Sequence, residues 1–154
     1  MSSTKPVTVA AEIDRLLREV IALQKDHVEK VCSACETPCC RRVDRLFDEK
    51  DLVFARVLGL NGVPSRRRTG KKGCSHLSPA GCLLEPRTRP FTCHRYLCPE
   101  LKEDIARKDD ALVSMLESKF RMLEELRGQL LGEFILIHEK GAFLDVRRRR
   151  RETN

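Results

Sequence analysis

Eight cysteines stand in two bunches, and the chain has no others. Cys32, Cys35, Cys39 and Cys40 fall in the run Cys-Ser-Ala-Cys-Glu-Thr-Pro-Cys-Cys, and Cys74, Cys82, Cys93 and Cys98 follow after a gap of 33 residues. No basic-then-apolar export signal opens the segment Met1 to Ala11. The longest strongly apolar run, Phe134 to Ile137, is far short of a membrane span. The expectation is a cytoplasmic protein with no membrane partner. That reducing compartment disfavours pairing eight thiols into four disulfides. Two groups of four then point to a fold organised around bound metal, with disulfides or inert buried thiols as the lesser readings.

A chain of 154 residues is about one domain, and a core of that size gains from a metal staple. Large apolar anchors are few: aromatic residues make up 5%, with no Trp and one Tyr. Of the formal net charge of +7, Pro64–Gly73 carries +5 and Arg147–Asn154 carries +4, which leaves −2 for the rest. The body is near neutral and bears two basic appendages.

Thr8 to Val31 has a helical pattern. Ile13, Leu16, Leu17, Val20, Ile21, Val28 and Val31 recur at spacings of three and four, which makes one apolar face. This helix delivers the chain straight into Cys32. Pro38 breaks it, so Cys39 and Cys40 read as a turn with ligands, and Arg42 to Phe47 as a short strand. Asp48 reads as an N-cap, with Phe47 and Leu52 as a hydrophobic staple. The helix it starts runs to about Leu60 and stops at Asn61-Gly62. Cys74 to Pro99 has no helical period; it reads as irregular backbone with a small hairpin across Pro79-Ala80-Gly81. After Pro99 helix resumes: a short turn covers Glu100 to Lys108, and Asp109 or Asp110 caps a long helix. That helix carries Leu112, Leu116, Phe120, Leu123, Leu130, Phe134 and Ile137 on one face, with a polar gap at Arg127. Gly128 and Gly132 weaken its end and offer close packing.

The expected fold is mostly α: two long helices plus a short helix, packed around an irregular cysteine-rich metal-binding knot. Residues 1–8 form a flexible N-terminus, 9–141 a single helical domain containing the cluster 32–98, and 142–154 a basic disordered tail. The knot belongs to the domain, because the two long helices flank it and need each other's apolar faces.

Two residues between Cys32 and Cys35 let both sulfurs converge on one tetrahedral ion at about 2.3 Å. Adjacent Cys39 and Cys40 diverge, so they serve two metal atoms, or one of them supports the site or reacts. Eight thiolates allow two four-cysteine sites, a binuclear site with bridging sulfurs, or an iron–sulfur cluster with spare thiols. All eight are ligand candidates for zinc or iron. His76 and His94 are alternative ligands, although an exposed loop position is the plainer reading of each. Arg41, Arg42, Arg87, Arg89, Arg95, Lys71 and Lys72 lie near in sequence and can offset thiolate charge.

The first bunch resembles the signature of the YkgJ-type CxxCxxCC cysteine-cluster family, a zinc- or iron-chelating domain. The second half is also similar to it: Cys74-Ser-His-Leu77, Gly81-Cys82-Leu83-Leu84, then Arg89-Pro90-Phe91-Thr92-Cys93-His94-Arg95-Tyr96-Leu97-Cys98. The resemblance covers 67 of 154 residues and all eight cysteines. This chain has three residues between Cys35 and Cys39 where the family name has two. The resemblance implies metal binding through these cysteines. Some larger relatives are flagellin lysine methylases. This chain has no Gly-rich nucleotide loop after a strand, so that activity is not carried over.

Three functions compete. The first is a metal-binding protein with a structural or carrier role. The second is an iron–sulfur redox protein or enzyme component. No residue supplies a clear general base: Glu85, between Cys82 and Pro86, reads as a loop carboxylate, and no catalytic residue is assigned. The third is a metal-stabilised nucleic-acid-binding protein. Arg66, Arg67 and Arg68 in the loop, and Arg147, Arg148, Arg149, Arg150 and Arg151 in the tail, would contact phosphates. Aromatic residues are not interleaved with them, so stacking on bases has no support there.

Overall fold

A computed structural model of the chain describes residues 4–36, 39–42, 47–61, 74, 76–78 and 81–152; among these, side chains are described except at 4, 41, 42, 77, 81 and 140–152. In order come α1 (Thr4–Ala34), α2 (Cys39–Arg42), α3 (Glu49–Leu58), β1 (Leu77–Ser78), β2 (Gly81–Cys82), a 3-10 turn (Pro86–Thr88), α4 (Phe91–Arg95), α5 (Pro99–Lys108) and α6 (Asp110–Glu152). The protein is mostly helical, as the periodicity predicts.

The core is the meeting of two apolar stripes. On α1 the buried positions are Val9, Ala10, Ile13, Leu16, Leu17 and Val20, and the same stripe continues with polar Gln24 and His27. On α6 they are Leu112, Leu116, Phe120, Leu123 and Leu130, with Arg127 buried in the same row. Both sets follow three-four spacing, which puts them on one face of each helix. Lys5 Nζ reaches Glu133 at 2.6 Å and Lys119 Nζ reaches Glu19 at 2.7 Å. Partners descend along α6 as they ascend along α1, so the two helices run antiparallel. Val53 and Phe54 of α3, Phe91 of α4, Leu97, and Leu101 and Ile105 of α5 complete the cluster.

At 31 residues α1 is about 46 Å long, and α6, with 43, is about 64 Å. The N-terminal end of α1 therefore meets α6 near Glu133, and α6 continues beyond it. The apolar stripe of α6 ends with this contact: Phe134 is half-buried, and Ile135, Leu136 and Ile137 are exposed. The helix passes through Gly141 to Glu152, where a disordered tail was expected from residue 142. Arginine is a good helix former, and extending an existing helix is far easier than nucleating one.

Several boundaries differ from expectation for local reasons. The helix after Asp48 ends at Gly59, two residues before Asn61. Gly59 adopts φ 65°, and Leu60 N–H returns to Ala55 O at 2.9 Å. This left-handed closure suits glycine and ends the helix at the first place it can form. Asp48 is the N-cap as predicted. Its side chain accepts from Asp51 N–H and the Asp51 carboxylate accepts from Asp48 N–H, a reciprocal capping box. Cys39 and Cys40 lie in the short helix α2 rather than in a turn, and the strand expected at 42–47 falls mostly outside the described residues. The hairpin is present: Leu77 pairs with Cys82 and Ser78 with Gly81. Glu100–Lys108 is not a turn but most of α5, which opens with Pro99 at its first position, where the missing N–H costs nothing. A Cβ placed on Gly128 or Gly132 would meet nothing within 4 Å, so neither glycine serves close packing.

Candidate metal centre

The two bunches meet because of where α1 and α5 cross. Cys32 lies in the last turn of α1, and Cys98 is the N-cap of α5. His27 Nδ1 and Asp104 Oδ2 are 2.8 Å apart, and Lys30 Nζ is 2.6 Å from Asp104 Oδ1. Cys32 lies five residues beyond His27 on α1, and Cys98 six residues before Asp104 on α5. Each cysteine is therefore within about 10 Å of chain rise from the point where the two helices touch. The second bunch also touches the first through the backbone: Cys74 N–H donates to Cys40 O at 2.6 Å.

The electrostatics report the same convergence. Partial desolvation by the surrounding atoms, and then the neighbouring thiols Cys98, Cys39, Cys35 and Cys40, push the Cys32 thiol above its ordinary value although the residue keeps an exposed edge. Burial likewise raises Cys98, with Glu100 and Cys39 adding to it, against the opposing N–H of Leu101 at 3.4 Å from the sulfur. Each negative sulfur makes the next harder to ionise, and a cation in their midst reverses that. No disulfide joins any of the eight cysteines. Cys32, Cys35 and Cys82 are exposed; Cys39, Cys40, Cys74, Cys93 and Cys98 are half-buried. Cys82 sits on the hairpin opposite Leu77, and Cys93 is in α4.

Soft sulfur donors with no preformed oxygen cage suit zinc or iron rather than calcium or magnesium. Among the described residues no three His, Cys, Asp or Glu side chains form a ready-made metal-holding group. The thiols share a neighbourhood without converging on one point.

The histidines are not exposed loop residues. His94 is buried in α4, and its Nε2–H donates to Pro86 O at 2.9 Å. That carbonyl can only accept, so the bond fixes the tautomer. Burial depresses the imidazole to about 4. It is a neutral structural group. The ring of His76 is half-buried and packs edge-on to Phe47, centroids 6.3 Å apart. The arginines expected to balance thiolate charge turn elsewhere: Arg87 to Asp14 at 2.8 Å, Arg89 to Leu84 O at 3.2 Å, and Arg95 to Glu124 at 2.7 Å. The side chains of Arg41 and Arg42, and residues 71–72, lie outside those described, as do Arg66, Arg67, Arg68 and the side chains of Arg147 to Arg151.

Residues that the sequence reading passed over hold the cysteine segments in place. Gln24 Nε2 donates to His94 O at 3.1 Å and so ties α1 to α4 beside Cys93. Asp51 Oδ1 accepts from Phe91 N–H at 3.1 Å, at the start of α4. Arg127 Nη2 donates to Asp51 at 2.9 Å and to Asp48 at 2.8 Å, and its guanidinium lies 4.3 Å from the Phe91 ring centroid. Burial, outweighing Arg127, pushes the Asp51 carboxyl up. Burial also works against Asp48, but the Asp51 N–H and Arg127 prevail and lower it. Gln24, His27 and Arg127 share one signal that could have found them: a polar residue in register on an apolar face.

Among the described residues no helix is long and apolar enough to cross a membrane. Comparison with protein-family models, with curated proteins and with solved structures finds no match to this chain.

Proposed function

We propose that this is a metal-binding protein of the YkgJ-type CxxCxxCC kind, holding zinc or iron through thiolates drawn from both cysteine bunches. The observation that carries the reading is the meeting of Cys32, at the end of α1, with Cys98, at the start of α5, amid Cys35, Cys39 and Cys40. Thiols that oppose one another's ionisation are a poor arrangement for bare cysteines and a good one for a soft cation, which releases their protons as it binds. Bound metal would supply a cross-link between α1 and α5 that a small core lacks. Cys74, Cys82 and Cys93 complete the candidate ligand set. The role is structural or carrier. A reducing compartment, the cytosol, keeps such thiols available.

Metal and acid-labile sulfide analysis with a visible spectrum, on protein purified without oxygen, tests the reading. Zinc without visible absorbance is the expected result for a structural or carrier module. Iron with sulfide and a broad sulfur-to-iron absorption band would make it an iron–sulfur protein and turn the search to an electron partner. Cys35→Ser and Cys98→Ser are each expected to lose metal and stability together. Protein without metal, or both variants retaining full metal content and melting temperature, would sink the shared site.

A further inference from the structure

Beside the cysteine segment lies an open groove of about 470 Å³, between the chain leading into α5 and the outer face of α6. Its volume falls in the range of small-molecule sites, about 300–1,000 Å³. Leu97 and Phe120, both buried, supply an apolar floor. Tyr96, 47% exposed, stands at the wall. Arg95, Lys102 and Arg121 form a cationic rim, against Glu117 as the one carboxylate in the lining. Arg95 is bridged to Glu124 at 2.7 Å. Lys102 and Arg121 have no carboxylate partner among the described residues, and both side chains are exposed.

The geometry points to this groove as a nucleotide-binding site, in which a base lies against Tyr96 and the apolar floor while Lys102 and Arg121 hold phosphate. Two features select that ligand chemistry. An aromatic side chain at the edge of a cleft offers a stacking face to any base. Cations without a carboxylate partner keep their full attraction for phosphate oxygens, and the guanidinium of Arg121 matches them two at a time. The nucleotide is either free or one unit of a single strand, because the groove is open at the surface. This inference stands apart from the metal reading and from the basic tail: none of its contacts comes from a cysteine or from Arg147–Arg151.

The test uses the full-length protein and two probes, adenosine 5′-monophosphate by calorimetry and a fluorescein-labelled oligothymidine by anisotropy. The variants are Lys102→Ala with Arg121→Ala, and Tyr96→Leu; a third protein ends after Val146 and so lacks the arginine run. All changed side chains in the groove are exposed, so unaltered far-UV circular dichroism is expected to accompany them. Binding of the monophosphate, weakened at least tenfold by both groove variants and unchanged by the truncation, would establish a site for free nucleotides. Binding of the oligonucleotide alone, weakened tenfold by the groove variants and weakening further with salt, would establish a site for a strand. The inference is overturned if neither probe binds, if the groove variants bind as wild type does, or if removing the arginine run abolishes all binding.

Discussion

Replacing Arg127 by methionine removes one charge from the interior and little else. The Arg127 side chain is 6% exposed and donates to Asp48 and to Asp51, whose own side chain is 9% exposed. Methionine keeps an unbranched apolar stem in contact with Phe91, so packing changes little. What changes is Asp51. Its carboxylate stays buried, still accepting from Asp48 N–H at 3.0 Å and Phe91 N–H at 3.1 Å, but with no cation to balance it. Removing one partner of a buried pair costs about 3–5 kcal/mol. The two surviving backbone donors, and the half-exposed position of Asp48, place this case at the lower end, about 3 kcal/mol. For a chain of this size that lowers the melting temperature by about 6–12 °C. Urea unfolding followed by far-UV circular dichroism measures the loss. Asp51→Asn in the same protein neutralises the stranded charge while keeping an acceptor for Phe91 N–H. The double variant is therefore expected to lose less than the sum of the single losses, by about 1–2 kcal/mol. A single variant within about 0.5 kcal/mol of wild type, or strict additivity, would refute the idea that the ion pair secures α4 to α3 and α6.

The buried His94, depressed to about 4, must stay neutral while the unfolded chain protonates near the ordinary value of about 6.5. Its contribution is full above about pH 6.5 and is lost as the pH falls to about 4, at roughly 1.4 kcal/mol per unit. His94→Gln should flatten that part of the stability profile; identical slopes for the two proteins would contradict the assignment. Asp104→Ala frees α1 from α5 at the base of the cysteine cluster. We expect lower stability and faster metal release to a chelator, and unchanged release would show that the His27–Asp104 contact does not hold the site together. Gly59→Ala forces a Cβ into φ 65° with open space around it, so the cost is conformational alone, about 1 kcal/mol, readable as a shifted urea midpoint; no shift would argue against the left-handed cap.

Much of the fold was legible because one rule governs it. Apolar residues at three-four spacing identified both long helices, and the Asp48 cap and the hairpin carry local signatures. Errors fell where local signals compete. Gly59 competes with the more conspicuous Asn61-Gly62, and the helix after Pro99, expected as a short turn, runs for ten residues. Arg127 registered as a gap in a stripe, because spacing describes where a side chain points and not what waits there. At the candidate centre the ligand types were plain from the cysteine count. Their grouping was not, because Cys32 and Cys98 are 66 positions apart.

What the sequence by itself determined is the local chemistry: helical periods, caps, the two thiol bunches and the basic runs. Each of these depends on residues within a few positions of one another. The tertiary structure alone decided which end of α1 meets which end of α5, and therefore that thiols from both bunches share one neighbourhood. It also decided that His94 and Arg127 are internal, and that Arg87, Arg89 and Arg95 turn to carbonyl and carboxylate partners. The physical reason is that desolvation and ion pairing depend on distances in space. Those distances follow from the antiparallel packing of whole helices, which no short window of sequence contains.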